Sequence, residues 1–288
     1  MMGSSVPSIG QVWRGLRDQL TAVGVPTAAL DARLLVRSVL DLDTTGLVAS
    51  EMDPFPGSKT RDLQALAARR LAGEPVARIR GVQEFYGLEF GLNAATLIPR
   101  PETEMLVDFG LARLRARPAP AILDLGTGTG CIVLSLLANI ASARGVGIDI
   151  STEALEQARD NAGALGLGAR FEARQGSWFS ALGDERFDFI VSNPPYIASA
   201  TIETLDPGVK TFDPMAALDG GADGLDPYRI IAAQARDHLV PGGALALEIG
   251  FDQGHMVNEL LSSAGFCDIA IARDLAGHDR MVTASAPK

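Results

Sequence analysis

The sequence predicts an α/β fold, a parallel sheet covered by helices on both faces, preceded by a smaller helical segment. Short apolar runs at 121–125, 145–150, 170–173, 187–192 and 244–249 alternate with helix-like stretches, the pattern of successive βαβ units. The first run closes in a glycine-rich turn and the fourth in two prolines, so both strands end abruptly. Before residue 74 apolar residues recur only at helical spacing. With 288 residues the chain exceeds a usual single domain, and two are expected.

In the helical segment, residues 9–73, Leu30, Leu34, Leu35 and Val39 form one stripe that Thr27 can cap, and Ser58 starts a second with Leu63, Leu66 and Leu71 that Gly73 can end. Residues 79–98 change character, with Phe85, Tyr86 and Phe90 broken by Gly81, Gly87 and Gly91, as in a hairpin bridging two domains. Residues 197–226 carry Asp206-Pro207-Gly208, Asp213-Pro214 and Gly220-Gly221-Ala222-Asp223-Gly224. Long loop-rich insertions are commonly functional, and this one is read as a lid over a substrate site.

Composition narrows the function. At 47% hydrophobic and 21% charged residues, with no apolar stretch long enough to cross a bilayer, no membrane segment is expected. The start, Met1-Met2-Gly3-Ser4-Ser5-Val6-Pro7-Ser8, lacks the basic and apolar parts of a secretion signal, so a cytoplasmic location is expected. Cys131 and Cys267 are read as buried small residues rather than a disulfide. A net charge of −10 disfavours a protein that tracks nucleic-acid phosphates, although it leaves a local basic patch open.

Asp124-Leu125-Gly126-Thr127-Gly128-Thr129-Gly130 follows the first strand. Glycine lets main chain turn sharply and approach a ligand without Cβ interference. A dinucleotide loop of the form G-x-G-x-x-G/A needs its third small residue at position 131, which is Cys131, and no Lys-Ser or Lys-Thr pair follows as in a nucleotide P-loop. S-adenosylmethionine, which has no phosphate, is the remaining common tenant. The second strand ends at Asp149, whose carboxylate can accept from both ribose hydroxyls. Asp149 also suits the amino end of the helix starting near Ser151, where the helix dipole favours an acid.

Asn193-Pro194-Pro195-Tyr196 closes the fourth strand. Proline has no N–H, so the ladder stops and Asn193 is presented at the carboxyl edge of the sheet, where open α/β folds bind ligands. The Asn193 side-chain carbonyl and the Pro194 main-chain carbonyl are two uncharged acceptors, suited to a planar NH2 group. His238, His255 and His278 lie outside these motifs and are read as surface or structural residues.

Taken together, the glycine loop, the acid and Asn193–Tyr196 resemble a class I S-adenosylmethionine-dependent methyltransferase acting on an amide or amino nitrogen. With Leu97-Ile98-Pro99-Arg100-Pro101-Glu102-Thr103-Glu104 before them and Ala217-Leu218-Asp219-Gly220-Gly221-Ala222-Asp223-Gly224-Leu225 after, the order resembles the HemK/PrmC family of peptide chain release factor glutamine methyltransferases over nearly the whole chain. The resemblance implies a Rossmann-like sheet at 99–288, a bridging hairpin at 77–98 and a helical substrate-binding domain at 1–76. It also implies methylation of the glutamine of the release factor Gly-Gly-Gln motif; separately, a monomer is expected. By the same likeness Gly126, Thr127, Gly128, Thr129, Gly130, Asp149, Trp178 and Asn193 contact the cofactor. Asn193, Pro194, Pro195 and Tyr196 bind the glutamine amide, with Asn193, Pro194 and Tyr196 catalytic and no metal involved.

Without the likeness, Trp178 reads equally as a partly buried packing residue, and Arg100 to Glu104 as a helix start with Pro101 in the first turn and acids at its positive end. Two departures are Asp213, where relatives often carry Glu, and His278, where they often carry Arg. A ribosomal-protein glutamine methyltransferase, a DNA or RNA exocyclic-amine methyltransferase and a non-enzymatic cofactor-binding scaffold are the alternatives left open.

Overall fold

Ser8 closes the amino end of the first helix, α1 (Ile9–Ala22), with a reciprocal cap. Its hydroxyl accepts from the Gln11 N–H at 3.2 Å and Gln11 Oε1 accepts from the Ser8 N–H at 2.8 Å, satisfying two donors the helix leaves over. α2 (Ala28–Leu40) packs on α1, followed by α3 (Thr44–Ala49), α4 (Thr60–Leu71) and α5 (Val76–Arg80). Their apolar stripes share one core that includes Trp13, Leu20, Leu35, Val36 and Leu63. On α2 the buried stripe is Ala32, Leu35, Val36 and Val39, while Leu30, expected in it, is exposed. Thr27 stands at the N-cap but donates to Asp31 Oδ2 at 3.0 Å instead of capping the backbone. Buried Asp31 also takes the Arg70 Nε–H at 2.7 Å, which ties α4 to α2. Removing one partner of such a buried pair costs roughly 3 to 5 kcal/mol.

The computed structural model describes residues 6–288, so Met1 to Ser5 of the segment read above for a secretion signal lie outside the described residues. The chain forms two compact units, one ending at Gly81 and the other spanning Val82–Lys288. No helix among the described residues is long and apolar enough to cross a membrane.

The second unit opens with a hairpin, β1 (Val82–Phe85) and β2 (Leu88–Gly91). Its two-residue turn places Tyr86 at φ 53° and Gly87 at φ 74°, the double positive φ that matches the twist of paired strands. Phe85 and Phe90 meet edge to face at 6.2 Å and join the core of this unit, so the hairpin expected as a bridge is packed into the second unit.

The main sheet contains β3 (Ala121–Leu125), β4 (Arg144–Asp149), β5 (Phe171–Gln175), β6 (Phe187–Ser192), β7 (Leu239–Glu248), β8 (Cys267–Arg273) and β9 (Asp279–Ser285), in the order β5-β4-β3-β6-β7-β9-β8. The first five are parallel, as the alternation predicts, and β9 and β8 complete the edge antiparallel. Alternating residues serve two cores. Ile122, Phe189 and Val191 face α6 (Glu104–Leu114), α7 (Cys131–Asn139) and α8 (Thr152–Ala164). Leu123, Leu125 and Ile190 face α11 (Asp226–Gln234) and α12 (Gly254–Ser263). Between β6 and α11 the insertion read as loop-rich contains α9 (Ser199–Ile202), α10 (Pro207–Phe212) and a 3₁₀ turn at Met215–Ala217. Both cysteines are free, Cys131 buried as expected but Cys267 exposed on the edge strand β8.

Two facts decide where a ligand can sit. Strand order reverses beside β3, which has β4 on one side and β6 on the other, and such a switch point opens a crevice at the carboxyl ends. The register pairs Leu125 with Ser192, so β3 and β6 finish level and release Gly126 and Asn193 side by side. The Ser192 hydroxyl donates to the Leu125 carbonyl at 2.7 Å and pins that edge.

A Cβ on Gly145 would stand 2.4 Å from Val133 Cγ2, which shows how closely α7 lies on β4. Gly145→Ala is expected to cost about 1 to 3 kcal/mol through overpacking. Urea unfolding should show a lower midpoint at unchanged slope, and an unshifted midpoint would mean that α7 retreats freely.

Candidate active site

A cavity of about 550 Å³ opens at the carboxyl edge of β3, β4 and β6. Gly126, Thr127, Gly128 and Thr129 form one wall, Asp149 and Trp178 another, and Asn193 and Pro195 a third. Gly130, Pro194 and Tyr196 are not on its wall.

The glycine loop is bent back onto β4 by two N–H groups, from Gly126 at 2.8 Å and Thr127 at 3.0 Å, that share the Ile148 carbonyl. Gly126 at φ 69° and Gly128 at φ 54° have left-handed backbone, and a Cβ on either would meet no protein atom within 4 Å. On the cavity wall, that open space is what a side chain would take from a ligand lying against the main chain. Gly130 differs: its Cβ would press on Leu134 at 2.9 Å, so it serves the packing of α7.

Asp149 holds the loop as well as facing the cavity. Its Oδ2 accepts from the Gly128 N–H at 2.9 Å and its Oδ1 from the Ser151 N–H at 3.0 Å. Ser151 itself caps α8, accepting from Ala154 N–H at 3.1 Å. Each carboxylate oxygen has a second lone pair, which leaves acceptor capacity for ribose hydroxyls. Trp178 is half-buried at φ 53°, a left-handed conformation uncommon for a bulky residue. Such strain is found where surrounding structure imposes a side chain's direction.

Asn193 is half-buried, and its Nδ2 donates to Thr103 Oγ1 at 3.3 Å. Among the described residues no donor is bonded to Asn193 Oδ1 or to the Pro194 carbonyl. The main chain beyond them is fixed by remote residues, of which the sequence reading singled out Gly220 and Gly224 but not Gln253 or Asn161. Gln253 Nε2 donates to the Tyr196 carbonyl at 2.9 Å and to the Gly224 carbonyl at 3.1 Å. A Cβ on Gly220 would lie 2.8 Å from the Pro195 carbonyl, and one on Gly224 2.4 Å from that of Tyr196. Asn161, buried on α8, donates to the Thr129 carbonyl at 2.9 Å and exchanges hydrogen bonds with the main chain of Gly91, joining the loop to the hairpin. No periodicity marks such residues, because their partners lie far along the chain.

Arg100 to Glu104 divide in role. Arg100 lines the cavity and its Nη2 donates to buried Asp213 Oδ2 at 2.9 Å, immediately before Pro214, Ala216 and Ala217, which also line it. The insertion read as a lid therefore supplies part of the wall. Glu104 accepts from the Tyr86 N–H at 2.8 Å and holds the hairpin turn. Burial pushes the Tyr196 phenol up to about 12, with nearby Glu248 adding to the shift, so it keeps its proton. Burial also pushes the Asp124 carboxyl up to about 7, opposed by the Thr127 hydroxyl, which donates to Asp124 Oδ2 at 2.9 Å, and increased by the Asp149 charge. No group of three or more His, Cys, Asp or Glu is placed to hold a metal ion among the described residues.

An open, mostly parallel sheet with this glycine-walled cavity defines a methyltransferase of the α/β class, with S-adenosylmethionine as the methyl donor. Residues 103–205 match the Methyltransferase small domain family and residues 11–81 the PrmC N-terminal domain. The chain belongs to the release factor glutamine methyltransferase family. It is 45% identical to the release factor glutamine methyltransferase of Agrobacterium fabrum (strain C58), over 98% of this chain and 99% of that one. It is 47% identical to that of Rhodospirillum rubrum, over 92% and 81%. Among solved structures, a methyltransferase from Pyrococcus furiosus shares the fold with a TM-score of 0.54 at 18% identity, covering 79% of this chain and 99% of its own. The hMettl16 catalytic domain, solved with the MAT2A 3′UTR hairpin 6, does so with a TM-score of 0.57 at 17% identity, covering 77% and 81%.

Two outcomes follow from this geometry. Asp149→Ala frees the Gly128 N–H and removes a charged acceptor, so calorimetric titration should show S-adenosylmethionine affinity falling by about 10-fold or more, from a loss of 1.5 to 3 kcal/mol. Unchanged affinity would remove Asp149 from the donor site. For Asp124, the folded state holds the proton more tightly than the unfolded chain, whose aspartate titrates near about 3.9. Its contribution to stability is therefore full below about 4 and is lost as pH rises through about 7. Asp124→Asn should gain on the wild type with rising pH, by on the order of 4 kcal/mol at most, read from urea unfolding at acid and alkaline pH.

Proposed function

We propose that this protein transfers a methyl group from S-adenosylmethionine to the side-chain amide nitrogen of the glutamine in the Gly-Gly-Gln motif of a peptide chain release factor. The observation that carries the reading is the level ending of β3 and β6, which sets Asn193 on the same cavity as the glycine loop. When bound, S-adenosylmethionine supplies an electrophilic methyl group on its sulfonium.

The protein's own work is to present the nitrogen. An amide lone pair is delocalised into its carbonyl, so the nitrogen is a weak nucleophile. Asn193 Oδ1 and the Pro194 carbonyl accept its two N–H bonds, holding it in line and favouring the positive charge that grows there as the methyl transfers. Acceptors aimed at developing charge stabilise the transition state more than the ground state. Tyr196 stays protonated and is assigned to shaping the amide site rather than to acting as a base. Gly126, Thr127, Gly128, Thr129, Asp149 and Trp178 are assigned to the donor, with Gly130 supporting the loop from the α7 side rather than touching it, and Asn193, Pro194, Pro195 and Tyr196 are assigned to the glutamine.

We assign the helical unit to holding the release factor, and the chain to the cytoplasm, where release factors work, as a monomer. Direct nucleic-acid binding is not part of the reading, in keeping with the net charge of −10.

Incubation with labelled S-adenosylmethionine and purified release factors, ribosomal proteins, DNA and RNA tests the acceptor, with the label located by mass spectrometry. Label on a Gly-Gly-Gln glutamine is the expected result; label only on a base or a ribosomal protein would overturn the substrate. Asn193→Ala is expected to slow single-turnover transfer by about 5- to 150-fold, the cost of one buried acceptor. Transfer at the wild-type rate would remove Asn193 from catalysis.

A further inference from the structure

Behind Asn193 lies a buried polar relay that joins Thr103, from the 97–104 motif, to Glu248, which no sequence motif contains. Thr103 is 2% exposed and Glu248, the last residue of β7, is also 2% exposed. The Thr103 hydroxyl donates to Glu248 Oε2 at 2.6 Å, and Asn193 Nδ2 donates to the same Thr103 oxygen at 3.3 Å. A carboxylate only accepts, so ionised Glu248 claims the single Thr103 proton. Thr103 can then offer Asn193 only lone pairs. Of the two ends of the Asn193 carboxamide, the NH2 must turn to Thr103 and the oxygen is left for the cavity.

We propose that Thr103 and Glu248 are positioning residues that fix which end of the Asn193 carboxamide meets the acceptor nitrogen. Either end fits sterically, because the amide oxygen and nitrogen differ little in size, but they are opposite in function. An acceptor holds an NH2 group and favours the charge developing on it, whereas a donor NH2 repels it. The proposal deepens the reading of Asn193 given above and rests on it, but it holds for any acceptor bearing an NH2 group.

The relay titrates through Glu248. Burial pushes its carboxyl up to about 7, against the Thr103 hydroxyl and the Arg280 charge, which favour the ionised form; Glu102 raises it further. Packed around it are Thr103 from the turn before α6, Tyr196 after β6, Tyr228 from α11, Gln253 at the start of α12 and Arg280 from β9. The Tyr228 hydroxyl donates at 2.8 Å to the Glu248 main-chain carbonyl and fixes the backbone, not the carboxyl. Protonated Glu248 can donate to Thr103, whose own proton then points at Asn193 and selects the opposite amide orientation. Catalysis is therefore expected on the alkaline side, where Glu248 is ionised.

The test uses the full-length protein with S-adenosylmethionine and whichever acceptor the wild type methylates. Thr103→Val keeps the shape and removes the hydroxyl, and should lower kcat by about 5- to 150-fold with donor affinity by calorimetry unchanged. Thr103→Ser, which restores the hydroxyl, should recover most of the rate. Glu248→Gln should abolish the acidic limb of the kcat profile near pH 7. Independently of turnover, the Asn193 side-chain NH2 signals in 15N NMR, identified by their loss in Asn193→Ala, should shift across the Glu248 titration in the wild type and stay fixed in Glu248→Gln. Transfer only to a different NH2-bearing acceptor would refute the release-factor reading and leave the relay standing. A wild-type kcat in Thr103→Val, or pH-independent Asn193 signals in the wild type, would overturn the relay whatever the acceptor. A wild type that methylates nothing leaves those signals to decide it.

Discussion

Everything at the site depends on the parallel pairing of β3 with β6. The two strands are separated by the whole α7–β4–α8–β5 excursion, yet Leu125 and Ser192 are partners and their chains leave the sheet at one level. A register shift of one residue would turn the apolar faces inside out, because side chains alternate across a sheet. Ile122, Phe189 and Val191 belong to one core and Leu123, Leu125 and Ile190 to the other, so both layers of helices enforce the same register. The level at which the two strands end is thus inherited from core packing.

A cost comes with that position. Asp124 and Glu248 end up buried, both with carboxyls pushed up to about 7. Apolar residues of similar volume would spare the fold that desolvation. Each acid reaches the site through a threonine hydroxyl, Asp124 the glycine turn through Thr127 and Glu248 Asn193 through Thr103. Stability is thus given up where the main chain or a side chain must face a ligand in a fixed direction.

The support around Asn193–Tyr196 is drawn from distant chain. Gln253 from the start of α12, Gly220 and Gly224 from the end of the insertion, and Thr103 from before the first strand of the main sheet all meet that segment. Asp213 and Arg100 join two of these regions at the cavity wall. A segment with two prolines donates few backbone hydrogen bonds of its own. Its shape has to be imposed by neighbours that accept, donate or simply leave room.

The sequence by itself determined the elements and the chemistry. Alternation of apolar runs gave the parallel strands, with β3 and β6 at the residues expected, β4 and β5 within two and β7 beginning five earlier, because local periodicity reflects burial directly. The glycine turn, Asp149 and Asn193 were legible since each is a residue type its task demands at a strand end. Local pattern misplaced Leu30, whose exposure depends on which side of α2 faces its neighbours, and Cys267, whose strand lies at an open edge. It also missed the short helices in 199–217, where tertiary contacts stabilise segments too brief to form alone. Only the tertiary structure decided that Gly130 packs while Gly126 and Gly128 face a cavity, and that Thr103, Asn161, Glu248 and Gln253 belong to the site. Those roles are pairings between residues remote in the chain, and a pairing exists only once the sheet has brought both partners to one edge.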